Sequence, residues 1–320
     1  MAISTNRPSA SYTSDDQRPD PQEQPPVHSG HENETENRVL YPLNMCRYGA
    51  GFRAYDEFRL VANIESFVAS DGVTVSYHHL KPDVLEVGAP PVFLLHGFAS
   101  DSQISWIDPG LTQTLVGAGR EVFAVDARGH GLSDKPHDSE FYGESRMGRD
   151  LIELWDSLGL DQVDLVGHSM GGVVALITAA SDRRIRRLVL SGVGRYQLDY
   201  DGGPLPHFDS AGFAAALSAA DPTEITDPEL REFRSEIDAS ANDRLALAAH
   251  LRVFHSDPFA FNRITAQVLV IAGEDDTLSP EPELLASAIP IGRSMTVPGD
   301  HAGAKTTTIF INEVTAFLNQ

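Results

Sequence analysis

The chain contains a single cysteine, Cys46, so no disulfide can form within it and a scaffold held together by cross-links is excluded. Nowhere do eighteen apolar residues follow one another, which excludes an ordinary membrane-spanning helix. Positive charge is scarce: 24 basic residues stand against 46 acidic ones, for a net charge of −22. A surface of that sign repels nucleic-acid phosphates and anionic lipid headgroups, so neither nucleic acid nor membrane is expected as a partner. The opening stretch "MAISTNRPSASYTSDDQRPD" lacks the apolar core of a secretory signal, and the expected location is cytoplasmic. Residues 1–37 have almost no apolar side chains and cannot offset the entropy of ordering, which predicts a disordered tail.

What is present is a repeated rhythm of strand, turn and helix. The stretch "VTVSYHHL" (73–80) alternates like a strand with one wet face. The runs "PVFLL" (91–95), "EVFAVDA" (121–127), "VDLVG" (163–167), "RLVLSG" (187–192) and "QVLVIAG" (267–273) are continuously apolar. Strands of that kind are buried on both faces, as a parallel sheet covered by helices requires. Between them, Leu151, Ile152, Trp155 and Leu158 share a helix face that Gly159 is placed to end, and Phe310, Ile311, Val314, Phe317 and Leu318 repeat the spacing. The alternation implies an α/β fold with a doubly wound, mostly parallel sheet.

One stretch breaks the rhythm. Residues 195–265 hold no clear buried strand but carry helical patches such as "AGFAAALSAA" and "DRLALAAHLRVF". They read as a helical cap inserted on top of the sheet. The expected organisation is a tail over 1–37, a first part of the core over 38–194, the cap over 195–265, and a second part of the core over 266–320. The aromatic-rich segment 39–60 is expected to pack against the rest.

Within "VDLVGHSMGGVVAL" (163–176), Ser169 sits where a buried strand gives way to a helix. A sharp turn there strains the serine backbone and leaves no room for side chains two residues either side, hence Gly167 and Gly171. A serine serving only as a helix cap would not need both glycines. The helix N-terminus offers unpaired N–H groups and a positive dipole end, suited to a developing anion. Such a serine becomes nucleophilic only with a base to take its proton and a carboxylate to orient that base. For this strand–turn–helix arrangement the expected chain order is serine, acid, histidine.

Downstream of Ser169 the histidines are His207, His250, His255 and His301, and the first three fall in the expected cap. His301, in "VPGDHAGA", lies on a loop before the last helix and is the candidate base. The acid should end the preceding strand, where "QVLVIAGEDDTLSP" offers Glu274, Asp275 and Asp276. The spacing Gly-x-x-Asp favours Asp276, with Asp275 and then Glu274 as alternatives, and one of the other two is placed to cap the following helix. Two backbone N–H groups are needed for an oxyanion. Met170, directly after the serine, supplies one, and Phe98, in the turn after "FLLHG", supplies the other. The adjacent His78 and His79 lack a third ligand at metal spacing, so neither metal nor cofactor is expected.

In order, "LLHGFASDS", "VFAVDARGHGLSDKP", "LVGHSMGG", "VLVIAGEDD" and "VPGDHAG" resemble the α/β-hydrolase superfamily, specifically its smaller cap-bearing members related to esterases and lactonases. The resemblance runs from about residue 90 to 303. It implies Ser169 as nucleophile, Asp276 as acid, His301 as base, and Phe98 and Met170 as oxyanion donors. It also implies that Asp126, Arg128, Gly129 and Gly131 shape a turn, with Arg128 free to pair with a nearby carboxylate. His96, His130 and His168 are implied to be structural. Serine in place of aspartate at 169 speaks against the haloalkane dehalogenase and epoxide hydrolase branches.

The activity implied is cleavage of a small ester, lactone or thioester through an acyl-enzyme, on a neutral and partly apolar molecule. Similar sequences use the same triad for carbon–carbon bond hydrolysis or for acyl transfer to an acceptor other than water. A non-catalytic binding protein of this type commonly lacks a triad member, and here all three are present.

Overall fold

The computed structural model describes residues 38–42, 59–200, 208–253 and 259–320. The expected tail over 1–37 lies outside the described residues, as does 43–58 of the aromatic-rich segment. Nine strands are described: β1 (Arg38–Pro42), β2 (Arg59–Val68), β3 (Thr74–Leu80), β4 (Val92–Leu95), β5 (Val122–Val125), β6 (Val163–His168), β7 (Ile185–Ser191), β8 (Gln267–Gly273) and β9 (Gly292–Val297). They form one sheet in the order β1-β2-β3-β5-β4-β6-β7-β8-β9. The pairs from β1 to β5 through β3 are antiparallel, and every pair from β5 through β4 to β9 is parallel.

The continuous apolar runs are explained by two cores, one on each face of the sheet. Alternate residues of a strand point to opposite faces. Phe93 and Leu95 of β4, Leu165 of β6, and Val268 and Val270 of β8 enter one core. Val92 and Leu94, Val166, and Leu269 and Ile271 enter the other. The first is covered by α2 (Glu144–Ser157), α3 (Met170–Ser181) and α7 (Pro282–Ala288), through Leu151, Trp155, Val174, Leu176 and Leu285 among others. The second is covered by α1 (Leu111–Gly117) and α8 (Thr308–Leu318), whose Phe310, Ile311, Val314, Phe317 and Leu318 are all buried. Gly159 follows α2 with φ of +65°, a left-handed conformation that stops the helix at almost no cost for glycine.

Among the described residues between β7 and β8 stand three α-helices, α4 (Ser210–Ser218), α5 (Pro228–Ala239) and α6 (Arg244–Leu251). Each begins on an aspartate whose carboxylate accepts from first-turn N–H groups: Asp209, Asp227 and Asp243. They share a small core of their own, built from Ala214, Leu217, Ile237, Leu247, Ala248 and Leu251. No helix among the described residues is long and apolar enough to cross a membrane.

Candidate active site

Ser169 occupies the junction between β6 and α3 with φ of +53° and ψ of −116°, a backbone conformation that L-residues adopt only when held there. Its N–H donates to the Ser191 carbonyl at the end of β7 (2.8 Å), and its carbonyl accepts from Val173 in the first turn of α3 (3.0 Å). The flanking glycines are sterically required. A Cβ on Gly167 would overlap the Gly171 carbonyl, and one on Gly171 would overlap the Leu95 carbonyl of β4. The turn is therefore pressed between β4, β6 and α3.

His301 and Asp276 meet the serine from two loops that are themselves tied together. The N–H of Glu274 donates to Val297 (2.8 Å) and that of Asp275 to Gly299 (3.1 Å), joining the end of β8 to the loop that carries His301. His301 Nε2 lies 2.9 Å from Ser169 Oγ, and His301 Nδ1 lies 2.9 and 3.0 Å from the two Asp276 oxygens. Of the three acidic residues in sequence, Asp276 is buried and faces His301, while Glu274 and Asp275 are exposed. Neither of those two caps α7, contrary to expectation. That helix starts from Glu281 at φ of +51° with Pro282 behind it, without a side-chain cap, and a proline at the first position has no N–H to satisfy.

Asp276 is further held by the N–H groups of Leu278 (3.0 Å) and Ser279 (3.2 Å) and by the Ser279 hydroxyl. Burial alone would raise its pKa, but the hydrogen bonds from His301 and Ser279 and the charge of His301 outweigh that and hold it below the usual carboxylate value. Ser279 was not singled out from sequence. Its signal is the Asp-x-x-Ser spacing, in which an aspartate binds the backbone and side chain of the residues following it.

The turn "HGF" after β4 lies directly against the serine. A Cβ added to Gly97 would stand 3.3 Å from both Ser169 Cβ and His168 Cδ2. Phe98 follows in that turn, and Met170 is the first residue of α3, where the N–H groups have no partner within the helix. His96 is completely buried: its Nδ1 donates to the Gly97 carbonyl (2.8 Å) and its Nε2 accepts from Ala127 N–H (3.0 Å). That pattern requires the neutral ring, in keeping with burial lowering its pKa. His130 and His168 are buried as well, and burial pushes both well below the ordinary histidine value. His168 is bonded to Ser191 Oγ (3.1 Å) and His130 to the Arg128 carbonyl (3.0 Å).

The remaining motif residues build the frame. Asp126 accepts from the N–H (2.8 Å) and hydroxyl (2.6 Å) of Ser102 and from Leu132 N–H (2.8 Å), which fixes the loop beyond Phe98. A Cβ on Gly131 would collide with that carboxylate. Arg128 pairs with two carboxylates, Asp150 at 2.6 Å and Asp71 at 2.7 Å. His79 lies between Glu65 (2.9 Å) and Glu121 (2.7 Å). Among the described residues no group of three or more His, Cys, Asp or Glu is arranged to hold a metal.

Comparison with known proteins follows the same lines. The family described as "alpha/beta hydrolase fold" matches residues 90–211. The 2-hydroxymuconate semialdehyde hydrolase of Pseudomonas putida is 32% identical over 212 residues, covering 59% of this chain and 72% of that protein. The 2-hydroxy-6-oxo-2,4-heptadienoate hydrolase of Pseudomonas putida F1 is 35% identical over 133 residues, and the match spans 41% of this chain and only 45% of that protein's length. Among solved structures, a hydrolase from Pseudomonas aeruginosa superposes with a TM-score of 0.63 at 26% identity, over 81% of this chain and 99% of its own.

Proposed function

Because this chain belongs to the α/β-hydrolase superfamily, we propose that it is a serine hydrolase acting on a small ester, lactone or thioester, with residues 195–265 as a cap over the site. The observation that carries the proposal is the continuous relay Ser169 Oγ, His301 Nε2 and Nδ1, Asp276, each link at 2.9 Å. In the first step Ser169 Oγ attacks the acyl carbon while its proton passes to His301 Nε2. Asp276, ionised and fixed by three further hydrogen bonds to its oxygens, stabilises the imidazolium so formed. The negative charge that moves to the acyl oxygen is received by the N–H groups of Phe98 and Met170. As the tetrahedral intermediate collapses, His301 returns the proton to the leaving group and the acyl group stays on Ser169. Water, deprotonated by His301, then attacks the acyl-enzyme; the acid leaves and Ser169 recovers its proton. The net charge of −22 favours neutral substrates over anionic ones.

A second reading is favoured by the two relatives whose names give hydrolases of 2-hydroxymuconate semialdehyde and 2-hydroxy-6-oxo-2,4-heptadienoate. It assigns the same triad to hydrolysis of a carbon–carbon bond in a diketone-like compound, the leaving group then being a carbon that must be protonated.

An activity panel on the wild type and Ser169→Ala separates the two. It contains p-nitrophenyl acyl esters of increasing length, several lactones, an acyl-thioester and a 2-hydroxy-6-oxo-dienoate, with a fluorophosphonate probe alongside. Ester, lactone or thioester turnover that is lost in Ser169→Ala is the expected result. Turnover confined to the dienoate assigns the second reading, and a folded wild type that neither turns over nor labels at Ser169 refutes both.

A further inference from the structure

The turn that carries Phe98 does not stand alone in the fold. Ala99, the next residue, has φ of +55°, a left-handed conformation that only glycine adopts freely. Something must therefore hold it, and the holding contacts come from the helical insertion, which lies more than a hundred residues further along the chain. The Asn242 side-chain amide, in the connection from α5 to α6, donates from Nδ2 to the Ala99 carbonyl at 3.0 Å. Its second N–H goes to Ser240 Oγ, also at 3.0 Å, so both amide protons are used and the orientation of the group is set. The Phe98 and Ala99 side chains pack on the small core formed by Ala214, Leu217, Leu247 and Leu251. The following residue, Asp243, caps α6 and is bonded to His137 of the core at 2.9 Å, which seats this connection on the sheet domain.

We infer that Asn242 is a positioning residue that holds the oxyanion turn in its strained, donating conformation, so that the chemical step at Ser169 depends on the seating of the insertion. The inference rests on the serine-hydrolase reading. The physical chain is short. The bond from Asn242 fixes the peptide plane after Ala99, and the packing of Phe98 and Ala99 fixes the plane before it. With both held, the left-handed residue cannot relax, and the turn stays against Ser169. Without the amide, an alanine at this position drifts toward negative φ and the Phe98 N–H loses its aim. Substrate binding does not need that aim, whereas stabilisation of the tetrahedral intermediate does.

The test uses the full chain and reads kcat and KM with the best substrate of the panel, the rate of Ser169 labelling by a fluorophosphonate, and thermal stability. In Asn242→Ala, kcat and the labelling rate are expected to fall about three- to tenfold, the size of one net hydrogen bond, with KM changed less than about twofold. Ala99→Gly, which makes positive φ free, is expected to restore the Asn242→Ala enzyme to within about twofold of the Ala99→Gly enzyme. Asn242→Asp keeps the size of the side chain but turns an acceptor toward the Ala99 carbonyl, and is expected to be at least as slow as the alanine variant; it serves where Asn242→Ala fails to fold. Wild-type rates in Asn242→Ala and Asn242→Asp overturn the inference, as does a double variant no faster than Asn242→Ala, since a residue that merely stiffens the insertion would not be rescued at Ala99. A wild type that neither labels nor turns over overturns the hydrolase reading together with the inference, whereas labelling of the wild type with no effect at Asn242 overturns the inference alone.

Discussion

Acidification from pH 7.5 to 5.5 removes a predictable part of the folding free energy, because four buried histidines have their pKa lowered by the fold. His78, His96, His130 and His168 are all less than a tenth exposed. Burial lowers the pKa of each, and for His130 and His168 the neighbouring cations and histidines push further in the same direction. Unfolded, each takes a proton near 6.5; folded, it does so only at lower pH. In that window the unfolded chain binds more protons, so stability is complete above about pH 6.5 and is lost as pH falls toward the folded values. For one group that stays neutral in the fold, the loss between pH 7.5 and 5.5 is RT ln 10, about 1.4 kcal/mol. His130 and His168 lie well below the ordinary value and together account for about 3 kcal/mol. His78 and His96, lowered by burial as well, add to that loss, which is a sizeable share of the roughly 5–15 kcal/mol that holds a domain folded. Urea unfolding followed by fluorescence of the buried Trp106 and Trp155 measures it at the two pH values. His130→Gln keeps an amide donor for the Arg128 carbonyl but cannot titrate, so it should shrink the pH gap by about 1.4 kcal/mol. A wild-type gap under about 1 kcal/mol, or an unchanged gap in His130→Gln, would refute the reasoning.

Two further predictions concern the frame. Asp164, fully buried, receives Arg120 at 2.5 Å and Arg186 at 2.6 Å, and both guanidinium groups also donate to the Leu318 carbonyl at the end of α8. Asp164→Ala leaves Arg120 buried and unpaired and should cost about 3–5 kcal/mol in a urea titration, whereas Asp156→Ala, which removes an exposed partner of Arg184, should cost under about 1 kcal/mol. Gly171→Ala places a Cβ into the Leu95 carbonyl and should destabilise by about 1–3 kcal/mol and slow the labelling of Ser169, because relief requires α3 to move off β4. Gly72→Ala, with φ of +87° and nothing near its Cβ, is the comparison: equal labelling in the two variants would show that the close approach is unimportant.

The parts of the molecule that were legible in sequence are those governed by short-range rules. The strands from "PVFLL" to "QVLVIAG" announce themselves because burial on both faces removes polar residues from every position. The serine turn is legible because Gly167 and Gly171 have no tolerated substitute. Asp276 was separable from Asp275 and Glu274 only by spacing, since what distinguishes them physically is which side chain the loop turns inward. Helix α5 was not singled out although Asp227 and Pro228 form a good cap and first residue, because its apolar face is narrow: only Arg234 and Ile237 are buried in it. Arg234 is itself a polar core residue, donating to the carbonyls of Ala216 (2.9 Å) and Ala219 (2.8 Å) at the end of α4, and no periodicity argument scores an arginine as core. Asn242 was invisible for a deeper reason: its partner lies 143 residues earlier in the chain, and a single asparagine in a turn carries no trace of the carbonyl it will meet.

Strain and restraint are distributed unevenly over the sheet, and the distribution follows the chemistry. Among the described residues, left-handed backbone outside glycine occurs at Ala99, Ser169 and Glu281. The first follows β4, the second follows β6 and the third follows β8, so all three stand beyond the carboxyl ends of parallel strands, where ligands bind in sheets of this kind. Two of them are pinned through the backbone by neighbouring segments, Ala99 by the Asn242 side chain and Ser169 by the Ser191 carbonyl at the end of β7, while the Glu281 side chain forms an ion pair with Arg195 at 2.8 Å. At the opposite ends of the strands the restraint is of another kind, with Asp164 and the Leu318 carbonyl gathered by Arg120, Arg186 and Arg187. That clamp fastens α8 to β6 and β7 without straining any residue. The consequence is a sheet whose strands are anchored at one end and loaded at the other, so that loosening a single pin at the carboxyl ends releases one loop without unfolding the rest. Substitutions at the pins should therefore alter the rate of the chemical step more than stability, and substitutions in the arginine clamp should do the reverse.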